Sequence, residues 1–164
     1  MQLKTTSNLI FRKTGYLPAG SSTYEYFDLS EKEGKLVIII SNEESYNALA
    51  EALSNDFTPF AISAALGMPL PVNLANIPRG KDFGYEISCF DSHSKNWSTI
   101  FSWSRTIFEY RVIDLQQYPS FSWRVLVDNS FSILTGKTYT IEVYQVKEVE
   151  KSSKKSKNLL KKKR

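Results

Sequence analysis

A single cysteine and a single histidine occur in 164 residues. Cys89 has no second thiol to pair with, so no disulfide forms within the chain, and a reducing compartment suits it. His93 alone excludes a multi-histidine metal centre, and one Cys with one His falls short of an ordinary structural zinc site. Long apolar runs are also missing. The most apolar stretch, 59–77, is interrupted by Pro59, Pro69 and Pro71 and does not read as a spanning helix. The first 15 residues lack the apolar core of a secretory signal. No repeat of a solenoid or propeller period is visible. The expectation from these absences is a soluble, cytoplasmic protein without cofactor, metal or membrane insertion.

Basic residues are concentrated in one region that holds no acids. Residues 151–164, KSSKKSKNLLKKKR, carry eight Lys/Arg and no Asp or Glu. The first 150 residues hold the other 13 Lys/Arg against 17 Asp/Glu, a charge of −4. The overall charge of +4 therefore belongs to the tail. Like-charge blocks of this kind are usually disordered and often bind partners. The chain divides into a mildly acidic domain, 1–150, and a basic, disordered tail, 151–164.

What remains is a composition of 41% hydrophobic and 13% aromatic residues, enough for one buried core. Asn8–Lys13 and Thr23–Leu29 alternate as short strands around Pro18–Ala19–Gly20. Glu33–Gly34 reads as a turn, and Lys35–Ile40, continuously apolar and β-branched, as a strand buried on both faces. Ser41-Asn42-Glu43-Glu44 has the form of a capping box, with Ser41 as the cap. Tyr46, Leu49, Ala50 and Leu53 then fall on one helical face, and Asn55 suits a stop. A second helix is expected from Thr58 as cap, through Pro59, to Gly67. Residues 67–84 read as a long loop. Beyond it lie candidate strands 85–90, 97–103, 105–113, 121–128, 130–134 and 138–147, with hairpin turns at Asp128–Asn129 and Thr135–Gly136. The fold class is α+β: a mainly antiparallel sheet packed against one or two helices.

Two groups of side chains qualify as candidate binding residues. The first is cationic. Lys151, Lys154, Lys155, Lys157, Lys161, Lys162, Lys163 and Arg164 can neutralise phosphates and release counterions. Arg105 and Arg111, on one face of the 105–113 run, span about 20 Å, enough to touch separated phosphates or to form a cross-strand ion pair with Glu109. Arg124 joins them as a third candidate. The second group is aromatic. Trp97, Phe101 and Trp103 share a face by alternation, as do Phe121, Trp123, Val125 and Val127. Both stripes read first as inner faces of the sheet against the helix, and second as platforms for stacking bases.

Catalytic motifs are incomplete. Asp91, Ser92, His93 and Ser94 form a polar turn without a nucleophile elbow. Cys89 alternates as a core thiol rather than as the partner of His93. Gly136-Lys137-Thr138 ends like a phosphate loop but lacks its first glycine and its helix. Asp28, Glu33 and Lys35 together resemble the residues with which a nuclease holds Mg²⁺ and a water. The reading that follows is a non-enzymatic accessory subunit of a nucleic-acid-containing complex. Its tail grips RNA or DNA and its acidic body docks on a protein. The alternative is a protein-binding inhibitor of immunity or anti-defence type, and a remote one is a metal-dependent nuclease.

Overall fold

The run at 35–42 is buried on both faces, and this organises the molecule. The computed structural model describes residues 3–76 and 82–150. It contains strands β1 (Leu3–Leu17), β2 (Ser22–Asp28) and β3 (Lys35–Asn42), then helices α1 (Glu43–Ala52) and α2 (Thr58–Leu66). Strands β4 (Phe83–Asp91), β5 (Asn96–Thr106), β6 (Phe108–Asp114), β7 (Ser122–Asp128) and β8 (Lys137–Glu150) follow. The tail residues Lys151, Lys154, Lys155, Lys157, Lys161, Lys162, Lys163 and Arg164 lie outside the described residues.

The strands form two antiparallel four-stranded sheets, β1-β8-β3-β6 (sheet A) and β2-β7-β4-β5 (sheet B). Only β4 and β5 are consecutive within one sheet; every other connection crosses to the opposite one. This strand order is that of a jelly roll, two interleaved Greek keys. On β3, Leu36, Ile38 and Ile40 face sheet B, where they meet Phe27, Phe83, Tyr85, Ile87, Trp123, Val125 and Val127. Val37 and Ile39 face the other way, onto Leu49, Phe60, Ala61 and Ala65 of the two helices. The centre of sheet A is covered on both sides, so β3 reads as a continuous apolar run, while β8 buries Thr140, Glu142 and Gln145 between its apolar residues. Sheet B has one solvated face, so its strands alternate.

The α+β class holds, and the antiparallel strands are divided between two sheets. That division corrects several local expectations. The stripe Trp123, Val125 and Val127 packs against sheet A, with the helices on the far side of that sheet. Residues 130–134 are turns and bends rather than a strand, and Ile133 and Leu134 there are 89% and 92% exposed. Asp128–Asn129 and Thr135–Gly136 bound one cross-over between β7 and β8, not hairpins. Hairpins and corners draw on the same turn residues, so the sequence does not separate them. Buried Asn129 fills the corner, its Nδ2 donating to the carbonyls of Leu17, Pro18 and Thr135.

The cap of α1 is Asn42 rather than Ser41: its Oδ1 accepts the Ser45 N–H at 2.8 Å. Ser41 is still paired within β3, opposite Phe108 and Thr140. Leu49 and Ala50 are buried on the expected face, and Ser54 and Asn55 take left-handed φ values of 53° and 62° as the helix stops. Helix α2 starts at Thr58, whose N–H is held by Asp56, and ends at left-handed Gly67. Among the described residues no helix is long and apolar enough to cross a membrane.

Candidate functional site

The solvated face of sheet B gathers aromatic residues around one arginine. On β2, Tyr24, Tyr26 and Asp28 alternate outward while Phe27 enters the core. Tyr26 lies opposite Arg124 on β7, and Tyr24 opposite Leu126. On β4, Ser88 lies opposite Arg124 and Glu86 opposite Leu126. A register shift between Ile87 and Ser88 then changes the phase of β5. Phe101 stays opposite core residue Ile87, whereas Trp97 stands opposite Phe90 and turns outward. Trp97 therefore does not share a face with Phe101 and Trp103, because the bulge adds one residue and reverses the alternation. Phe121 also departs from its expected stripe. It precedes β7, is 48% exposed, and carries the Lys32 ammonium over its ring.

The guanidinium of Arg124 sits 4.3 Å from the Tyr24 ring centre and 4.5 Å from that of Trp97. Trp97 in turn meets Tyr26 and Phe90 edge-on, with centroids 5.8 and 5.4 Å apart. Arg124 Nε is buried and has no hydrogen-bond partner among the described residues. No ion pair to Arg124 is present among the described residues. Around this centre the same face carries Asp28, Glu86 and Asp128. A shallow hollow of about 570 Å³ adjoins it, floored by Glu86, Ser102, Leu126 and Asp128. The chemistry available is stacking, one preorganised guanidinium fork, and a surrounding ring of carboxylates.

The other two candidate arginines do not join it. Arg105 ends β5 in sheet B and Arg111 lies on β6 in sheet A, because the chain leaves one sheet for the other at Ile107. Arg105 pairs with Asp82 at 3.8 Å and covers the Phe131 ring at 4.4 Å. Arg111 donates to the Tyr85 hydroxyl at 2.9 Å, lies over Phe101 and pairs with Glu109 at 3.9 Å. Burial pushes the Glu109 carboxyl up, and the adjacent Arg111 opposes that shift. Arg111 thus ties the two sheets together at one edge through its Nε.

The motifs that suggested catalysis are dispersed. Cys89 is buried, which pushes its thiol up and away from the thiolate form. His93 sits in the β4–β5 turn, and no hydrogen bond joins it to Cys89. Its backbone N–H holds the Asp91 carboxyl below the usual range. Asp28 accepts from Ser122 on sheet B, whereas Lys35 donates to the Ala65 carbonyl at the end of α2, beyond sheet A. Glu33 lies in the corner between them, its carbonyl taken by Gln145. Lys137 of the Gly136-Lys137-Thr138 segment opens β8 and pairs with Asp82. Among the described residues no three His, Cys, Asp or Glu side chains converge on a metal position.

A second polar cluster lies under α1. Glu142 of β8, 3% exposed, accepts the hydroxyls of Tyr46 and Tyr144 and faces Arg12 at 3.5 Å. Burial first, and Glu142 second, push the Tyr46 hydroxyl up to about 12 and raise Tyr144 as well. Every member has its partner, so the cluster reads as a fastening of helix to sheet.

Tyr24, Tyr26 and Glu142 are the residues that sequence reasoning missed. The alternation of Tyr24, Tyr26 and Asp28 against Phe27 is a usable signal, as is a carboxylate set between Ile141 and Val143 of β8.

No protein-family model and no curated protein matches the chain. Among solved structures, the crystal structure of the Yersinia pseudotuberculosis-derived mitogen is similar over 90% of this chain and 93% of that one, at 11% identity and a TM-score of 0.45. A likeness at that level carries no argument about function.

Proposed function

We propose that this chain is a non-enzymatic, cytoplasmic binding protein that docks on a protein partner through the solvated face of sheet B. The observation that carries the reading is the cluster Tyr24, Tyr26, Trp97 and Arg124, exposed or half-buried on an otherwise complete jelly roll. Tyr, Trp and Arg are the residues enriched at interface centres, where they supply large contact area at low entropic cost. The acidic balance of the first 150 residues supports a protein as the occupant of this face, since a phosphate strand would cross Asp28, Glu86 and Asp128.

In this reading the Lys-rich tail adds a sequence-independent grip on RNA or DNA within the same assembly. The test is capture from the native host by the full-length chain, with and without nuclease. A variant with the eight tail cations replaced by serine runs beside it. A protein retained through nuclease treatment and through loss of the tail charge supports docking by the body. Partners that all vanish with nuclease overturn it. Nucleic acid lost with the tail charge, with a steep salt dependence, supports the tail's role.

A further inference from the structure

The centre and the rim of the sheet B face carry opposite charge, and this narrows what the face accepts. Arg124 is held between Tyr24 and Trp97 at 4.3 and 4.5 Å, so its guanidinium plane is fixed before any partner arrives. Its Nε is buried without a hydrogen bond, and no carboxylate of the described residues pairs with it. Nε is enclosed, so an acceptor supplied from outside reaches the two terminal guanidinium nitrogens, for which the described residues show no hydrogen-bond acceptor. A planar fork with fixed orientation matches a carboxylate bidentately. The neighbouring positions Asp28, Glu86 and Asp128 are acidic. They favour cations beside the acceptor and disfavour a continuous polyanion.

Resting on the docking reading above, we infer that the partner segment presents one Asp or Glu carboxylate to Arg124, flanked by Lys or Arg side chains that meet Asp28, Glu86 and Asp128. The carboxylate takes hydrogens of the two terminal guanidinium nitrogens, which nothing among the described residues takes. The rings of Tyr24, Tyr26 and Trp97 exclude water from that contact, which strengthens it. The flanking cations distinguish this segment from a plain acidic peptide and from a nucleic-acid strand.

The test pans a random peptide library against the immobilised full-length protein and against its Arg124→Gln, Arg124→Lys and Trp97→Ala variants. The expected result is an enriched pool with one Asp or Glu at a fixed position and Lys or Arg within a few residues of it. A representative peptide should bind Arg124→Gln about 30-fold more weakly. Arg124→Lys should rescue only part of that loss, because an ammonium keeps the charge and loses the fork. Tyr24 and Trp97 pack on the arginine, so far-ultraviolet circular dichroism and the thermal midpoint of each variant check that the sheet is intact.

A pool without a fixed acid, lost in Trp97→Ala and kept in Arg124→Gln, overturns the carboxylate assignment and leaves the docking face standing. A pool bound equally by all four proteins overturns both. No enrichment overturns the peptide assignment. Competition by an eight-nucleotide oligothymidylate that requires Arg124 overturns it in favour of phosphate.

Discussion

The Tyr46 hydroxyl of α1 reaches the Glu142 carboxylate of β8 over 2.8 Å, and the same carboxylate takes the Tyr144 hydroxyl at 2.7 Å. A buried charge is tolerable only when it is paired and hydrogen-bonded, and these two tyrosines with Arg12 meet that condition. Removing either hydroxyl leaves a carboxylate oxygen short of a donor. Tyr46→Phe and Tyr144→Phe should each lower unfolding free energy by about 1.5–3 kcal/mol, read by urea denaturation. The double variant should depart from additivity, because both act on one carboxylate. Additive losses of a few tenths would show that the cluster fastens nothing.

The same tyrosines predict alkaline instability. Burial, the largest cause, raises the Tyr46 hydroxyl from 10.0 to about 12, and Tyr85, Tyr139 and Tyr144 are raised too. Between those values the unfolded chain has released protons that the folded chain keeps, so stability falls as pH rises. The contribution is complete below about pH 10 and lost progressively through about pH 12 for Tyr46. Urea midpoints measured from pH 8 to 12 should show this decline. Tyr144→Phe should flatten it, and an unchanged profile would contradict the assignment.

Gly34 and Gly67 separate backbone strain from collision. Both have left-handed φ, 81° and 67°. A Cβ on Gly67 meets nothing within 4 Å, whereas one on Gly34 runs into the Val146 carbonyl of β8. Gly67→Ala should cost about 1 kcal/mol and Gly34→Ala clearly more, because β3 must move away from β8 at the sheet corner. Equal thermal shifts for the two would contradict the packing at that corner.

Asn129 joins the β1–β2 corner to the β7–β8 cross-over through three carbonyls, at 3.3, 3.1 and 2.9 Å. Asn129→Ala should cost about 2–3 kcal/mol, since buried carbonyls lose their donor. Asn129→Asp should cost more at neutral pH than at pH 4, because an ionised carboxylate would face carbonyl oxygens. Thermal denaturation at both pH values checks the sign.

Legibility in the sequence followed the number of covered faces. β3 was readable because KLVIII is buried on both sides, and α1 because its apolar face repeats at 3.6 residues. The split into two sheets was not readable. Asp128–Asn129 and Glu33–Gly34 carry the turn chemistry of a hairpin, and only long-range pairing shows that they are corners. Trp97 was misplaced by the one-residue bulge near Ile87, which alternation alone cannot register. Arg105 and Arg111 looked like one strand face because nothing in the residues around Ile107 signals a change of sheet. Of the candidate cations among the described residues, Arg124 is the one without an ion pair. Its ring partner Tyr24 and its cross-strand neighbour Tyr26 come from β2, far away in sequence.

The central claim is that the solvated face of sheet B binds a protein. Its most direct measurement is capture from the native host by the full-length protein and by a Tyr26→Ala/Trp97→Ala double variant, both after nuclease treatment and with folding verified by circular dichroism. The wild-type chain should hold one stoichiometric protein that the variant loses. The same protein held equally by both would contradict it.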